Sequence, residues 1–227
     1  MNIYDTDPEF AEIFKAFAYG DIAENEKFRL EASIRYKAVL AALIGCQGQE
    51  AFRAILPEAL KNSVTPVEVK EIVYQSAAYS GLGRCLPFLN AVNEILPAEG
   101  VALPLESQAS AGRDSRLTAG AEAQSEIFGA HMKEAWKNGD MNRFLAENCF
   151  GDYYTRRGLS LKEREMVTFC LLMAQGGCEP QLTAHAKGNM NMGNDREFLM
   201  KVIFNCLPYI GYPRSLNAVA CVNNAGK

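Results

Sequence analysis

The chain has 227 residues, 48% of them hydrophobic, which excludes wholesale disorder and sets a size of one large domain or two small ones. Lysine and arginine number 23 against 27 aspartates and glutamates, a net charge of −4. With no basic run, this balance argues against a nucleic-acid or anionic-membrane surface as partner.

The N-terminus, Met1 to Pro8, is acidic and lacks an apolar core segment, so no signal peptide is expected. The longest apolar run, Ala38–Ile44, is far short of the roughly 18 residues a membrane helix needs. Seven cysteines with no CxxC pair fit free thiols in a reducing compartment, and a cytoplasmic location is expected.

Helical spacing dominates the chain and strand-type alternation is absent. Thr65-Pro66-Val67-Glu68 is a capping box with proline in the first turn, opening a helix with Val69, Ile72, Val73, Ser76 and Ala77 on one face. Gly81 stops it. Residues 98–118, from Pro97-Ala-Glu-Gly onward, are rich in small and turn residues and read as a linker. Ser160-Leu-Lys-Glu163 is a second capping box, opening a helix to about Gly176. Pro180 suits the first turn of a helix ending near Gly193, Gly211 stops the next, and Pro213 opens the last.

The chain also repeats itself. Tyr79-Ser-Gly81-Leu-Gly-Arg84 matches Tyr209-Ile-Gly211-Tyr-Pro-Arg214, 130 residues on, and Leu60/Met190, Val73/Ile203 and Tyr74/Phe204 keep the same step. Apolar positions that stay in step while polar ones diverge indicate a duplicated half-domain. The reading is an all-α, tandem duplicated helical bundle: repeat one at 1–97, a linker at 98–118, repeat two at 119–227. Each half exposes a large apolar share for its size, so the halves are expected to pack together and to self-associate.

Chemistry concentrates in the second repeat. Cys178 and His185 are seven apart, two turns of helix, and share a side if the helix extends back to the cysteine. Cys178 ahead of a helix N-terminus sits where free amides and the dipole favour a thiolate. Glu163 or Glu165, on the preceding helix, would fold against them and complete a proton relay or an activated nucleophile. The plainer readings are a buried thiol for Cys178, an interface histidine for His185 and an ion pair for Arg164. His131, beside Trp136, reads as surface or packing. With two histidines and no HExxH, Walker or GxSxG pattern, neither a metal nor another cofactor is expected.

Three stretches carry a family resemblance: Phe150 to Glu165, Pro180-Gln181-Leu182-Thr-Ala-His185-Ala-Lys-Gly188 to Gly193, and Tyr209-Ile-Gly211-Tyr-Pro213 to Ala218. They resemble the carboxymuconolactone decarboxylase family, which includes the alkylhydroperoxidase-D-like proteins; residues 57–93 resemble it more faintly. The resemblance implies an all-helical fold assembling as trimers of double repeats or as hexamers. It also implies either of two chemistries. One is cofactor-free lyase action on a small organic acid or lactone, with His185 as acid or base, Glu165 as its relay and Arg156 or Arg164 holding a carboxylate. The other is an antioxidant, peroxiredoxin-type thiol reaction using Cys178, His185 and Glu165. Against the second, Gln181 stands where that branch has its second cysteine, so Cys170 or an external thiol would have to resolve the cycle. A third reading is a non-catalytic oligomeric binding protein. Ile55 stands where repeat one would carry the histidine, so repeat one reads as a structural partner.

Overall fold

A computed structural model describes residues 3–226 and contains helices and connecting coil, with no strand among the described residues. Met1, Asn2 and Lys227, the outer ends of the two expected repeats and the start of the segment read as lacking a leader, lie outside them. Repeat one comprises α1 (Ile3–Thr6), α2 (Pro8–Lys15) running into a π-helical segment Ala16–Ala23, then α3 (Ala32–Gly45), α4 (Gln49–Lys61), α5 (Pro66–Ser80) and α6 (Leu82–Ala98). After a coil, α7 (Arg116–Phe128) and a 3₁₀ segment Ala130–Asn138 lead to the second set. That set is α8 (Asp140–Phe144) with a π-helical segment Leu145–Tyr154, α9 (Leu161–Gln175), α10 (Glu179–Asn191), α11 (Arg196–Ile210) and α12 (Tyr212–Ala225). α4 and α10, and likewise α5 and α11, have identical lengths and stand 130 residues apart, the step of the sequence repeat.

Both capping boxes form. Glu68 N donates to Thr65 Oγ1 and Thr65 N to Glu68; Glu163 N donates to Ser160 Oγ and Ser160 N to Glu163. Gly81 and Gly211 end their helices at φ 76° and 80°, a region L side chains avoid. Val69, Ile72, Val73 and Ser76 of α5 are buried, as their spacing predicts.

The apolar run Ala38–Ile44 is the middle of α3, a helix enclosed on all sides and packed against α9 at the centre of the molecule. One continuous core joins the repeats, including Leu40 and Ile44 from the first and Val167 and Leu171 from the second. Gly45 permits the approach: a Cβ there would lie 2.5 Å from the Leu171 carbonyl oxygen. The repeats also exchange contacts reciprocally. Ala16–Ala23 packs on α11, and Leu145–Tyr154 packs on α5.

The segment read as a linker is coil up to α7, but it is tied down: Arg157 N donates to the Gln108 carbonyl, and Ser110 Oγ donates to the Thr155 carbonyl. No helix of the described residues is long and apolar enough to cross a membrane.

Candidate functional site

α9 presents two glutamates two residues apart, and helical geometry sends them to different places. Glu163 is spent on the cap and on Lys37, whose Nζ lies 2.5 Å from its Oε1 and 2.8 Å from Glu68. Glu165 points the other way and is fully buried against α10. There His185 Nδ1 lies 3.1 and 3.0 Å from its two carboxylate oxygens. Asn189, one turn after His185, donates from Nδ2 to the backbone carbonyls of both Glu165 and His185, at 2.8 Å each, and so locks the helices in register. Gly188 leaves the room: a Cβ there would stand 2.5 Å from Glu165 Oε2 and 2.9 Å from both Ile127 and Phe128.

The carboxylate is held by a directed set of donors. Tyr154 OH donates to Glu165 Oε1 at 3.0 Å. Thr168 Oγ1, 2.5 Å from the same hydroxyl, accepts from Gln75 Nε2 at 2.8 Å, which leaves its own proton for Tyr154. Tyr79 OH is 2.8 Å from Tyr154 OH, and Cys149 Sγ donates to Tyr79 OH at 3.6 Å. Burial, reinforced by neighbouring acidic groups, pushes both tyrosines well above their ordinary value, and burial pushes the Cys149 thiol up to about 12. All three stay protonated and serve as donors, and every proton points toward Glu165. With the Glu165 carboxylate as acceptor of its Nδ1–H, His185 is held in the tautomer that leaves Nε2 as the free ring nitrogen. That Nε2 has no protein partner among the described residues, and the imidazole keeps 11% of its surface open. The rings of Phe128 and Tyr79 stand edge-on to it, with centroids 5.3 and 5.7 Å away. Tyr79 and Gln75 come from α5, so both repeats build the site.

The other sequence candidates lie elsewhere. Cys178 is the N-cap of α10 with non-helical backbone (φ −138°), and its thiol turns back to donate to the Leu172 carbonyl at 3.4 Å. The shared side expected for Cys178 and His185 fails because the helix starts at Glu179. No contact between the two is found among the described residues. Against the dipole argument, burial raises the Cys178 thiol, and the charges of Glu179 and Cys221 push the same way. Cys170 is enclosed in the core.

Arg164 is fully buried; its Nη2 pairs with Glu71 Oε2 at 2.9 Å and also donates to the Arg156 and Arg157 carbonyls. Arg156 grips the same Glu71 through Nε and Nη2 at 2.9 to 3.0 Å. Arg156 and Arg164, read as candidates for holding a substrate carboxylate, thus share the one carboxylate of Glu71. His131 lies exposed in the 3₁₀ segment. No group of residues fit to hold a metal is found among the described residues.

Two clefts flank the network and neither is lined by His185. One, of about 480 Å³, is bounded by Tyr154, Leu161 and the α7 carboxylates Glu122 and Glu126. The other, of about 300 Å³, contains Lys70, Tyr74 and Arg156. Sequence reasoning missed Tyr79, Tyr154, Thr168 and Gln75 as a working set. The signal for Tyr79 was its place in the repeated Tyr-x-Gly motif, and for Tyr154 its place in the first family-like stretch.

Comparison with known proteins finds a match to the model described as the carboxymuconolactone decarboxylase family, at residues 8–94 and again at 139–224. A 4-carboxymuconolactone decarboxylase of Acinetobacter baylyi is 29% identical over 108 residues. That match takes in 45% of this chain and 80% of the relative, as fits a relative one repeat long.

Proposed function

The chain belongs to the carboxymuconolactone decarboxylase family as a two-repeat member, and from that premise we propose that it is a cofactor-free enzyme acting on a small organic acid or lactone through acid–base chemistry at His185. The observation that carries this reading is the buried Glu165 carboxylate on His185 Nδ1, with three protonated groups directed toward it. Such a pair holds an imidazole in one tautomer and stabilises the imidazolium when Nε2 takes a proton. For a decarboxylation, the C–CO2 bond breaks and its electron pair passes into the conjugated lactone. The dienolate then takes its proton at carbon from Nε2–H of the imidazolium, formed when Nε2 takes a proton from solvent, and solvent restores that proton after each turnover.

The arginines take different parts in this reading. Arg164 is a positioning residue, since its guanidinium is enclosed and committed to Glu71. Arg156 retains an open side, but toward the smaller cleft. Self-association is part of the proposal: Leu82 and Leu86 on α6, and Tyr212 and Leu216 at the equivalent positions on α12, are all exposed apolar residues. With this go a cytoplasmic location and no nucleic-acid or membrane partner.

The test is a screen of unsaturated lactone acids and keto acids for CO2 release. His185→Ala and Glu165→Gln should each lower turnover by roughly 100-fold or more with the helical content kept. Equal rates in wild type and His185→Ala would refute the proposal. Thiol peroxidase action is the second reading, and the geometry of Cys178 weighs against it. It would return if Cys178 were alkylated rapidly at pH 6 to 7 and slowly in His185→Ala.

A further inference from the structure

The cleft of about 300 Å³ between α5 and the coil ahead of α7 is separate from His185 and carries its own charge pattern. Lys70, on its wall, is only 7% exposed. Its ammonium has one protein partner among the described residues, the Asn93 side-chain oxygen, so two of its three N–H groups are left without a protein acceptor. Its Nζ lies 6.0 Å from the Tyr74 ring centroid. The Arg156 guanidinium also lies over this ring, 5.3 Å from the centroid. Arg156 uses Nε and Nη2 on Glu71, and its Nη1 has no protein partner among the described residues.

Counting charge, Glu71 faces two guanidiniums, Arg156 and Arg164, which leaves one positive charge over, and Lys70 adds a second. Glu106 is the carboxylate on the rim and it is exposed to water. A buried ammonium with unused donors is costly unless something satisfies it. Burial moreover lowers the proton affinity of Lys70. Leu105 and Val67 supply apolar wall beside the Tyr74 ring. The volume is at the lower end of small-molecule sites.

We propose that this cleft binds a small dianion, with one charged end on Lys70 Nζ and the other on Arg156 Nη1, and its body along the Tyr74 ring. The site is independent of the reaction at His185. A dicarboxylic acid and inorganic phosphate share the required charge, and two separate cations, each held near the Tyr74 ring, favour the dicarboxylate with its charge at two ends.

Fumarate and inorganic phosphate are the probes, titrated calorimetrically into the full-length protein at low ionic strength. Saturable fumarate binding is expected, weakened at least tenfold in Lys70→Gln, as loss of one charge-assisted contact requires. It should be unchanged in His185→Ala. In the wild type, fumarate should also protect Lys70 from acetylation, read by mass spectrometry, so the result stands even if Lys70→Gln fails to fold. Phosphate binding with the same Lys70 dependence, and none by fumarate, would keep the dianion site and identify the ligand class as phosphate. Absence of saturable binding by either probe, binding indifferent to Lys70, or binding lost in His185→Ala would overturn the proposal.

Discussion

Glu71→Gln is the sharpest test of how the two repeats are held together. Glu71 belongs to α5 of the first repeat and is 1% exposed as a side chain; its partner Arg164, on α9 of the second, has no exposure at all. Removing one member of a buried pair strands the other charge and costs about 3–5 kcal/mol. The value here should fall at the low end. Arg164 keeps its bonds to Gln75 Oε1 and to the Arg156 and Arg157 carbonyls, and Arg156 has 19% exposure through which to find water. About 3 kcal/mol, at about 2–4 °C per kcal/mol for a chain of this size, lowers the melting midpoint by about 6–12 °C. Equilibrium urea unfolding followed by helical signal measures this, provided the slope m is unchanged. The double variant Glu71→Leu/Arg164→Met should lose less than the sum of its single variants by about 2 kcal/mol, because the enclosed Arg164 charge is no longer left stranded and Arg156 reaches water through its 19% exposure. A loss below about 1 kcal/mol in Glu71→Gln, or strict additivity in the cycle, would refute the reasoning.

Three further outcomes are expected. Gly188→Ala should cost about 1–3 kcal/mol by overpacking against Glu165 Oε2 and should shift the imidazole NMR signals of His185 while those of His131 stay put; unshifted His185 signals would show that the carboxylate needs no such clearance. Cys178, its thiol raised by burial above the ordinary 9.0, should be alkylated slowly at pH 7, with less than about 1% of it thiolate, and at the same rate in His185→Ala. Glu163 is held below the ordinary 4.5 by Lys37 and Ser160, which outweigh the opposing effect of burial. Its contribution is therefore full above 4.5 and is lost as pH falls through the lowered value. Glu163→Gln, which preserves the cap, should cost about 1 kcal/mol at pH 7, discounted for 33% exposure, and the difference from wild type should shrink below about pH 4.5. A difference still undiminished at pH 3 would contradict the assignment.

The parts of this molecule that sequence makes legible are those governed by local rules. Ser160 and Glu163, or Thr65 and Glu68, define a helix start because both bonds of the box lie within four residues. The 130-residue step was visible because core positions such as Val73 and Ile203 answer to the same packing in each copy. Glu165 and His185 could be paired as candidates from the family-like stretches, yet the choice between Glu163 and Glu165 could not be made along the chain. It depends on which face of α9 meets α10 and which meets Lys37, 126 residues away in sequence. Cys178 shows the limit of spacing arguments. A seven-residue interval puts two side chains on one face only if all the residues between are helical, and one non-helical backbone angle at the N-cap was enough to send the thiol to the Leu172 carbonyl. The arginines show another limit. Arg156 and Arg164 look like ligand-holding groups as long as their carboxylate partner is out of sight, and that partner, Glu71, lies in the other repeat. The same cross-repeat geometry brings Tyr79 and Gln75 of α5 onto the proton network of Glu165. Ile55 stands where repeat one would carry the histidine, but its α5 still shapes the chemistry of the second repeat. One copy in this chain thus lacks a histidine at the position equivalent to His185, yet its α5 supplies Tyr79 and Gln75 to the hydrogen-bond network around Glu165.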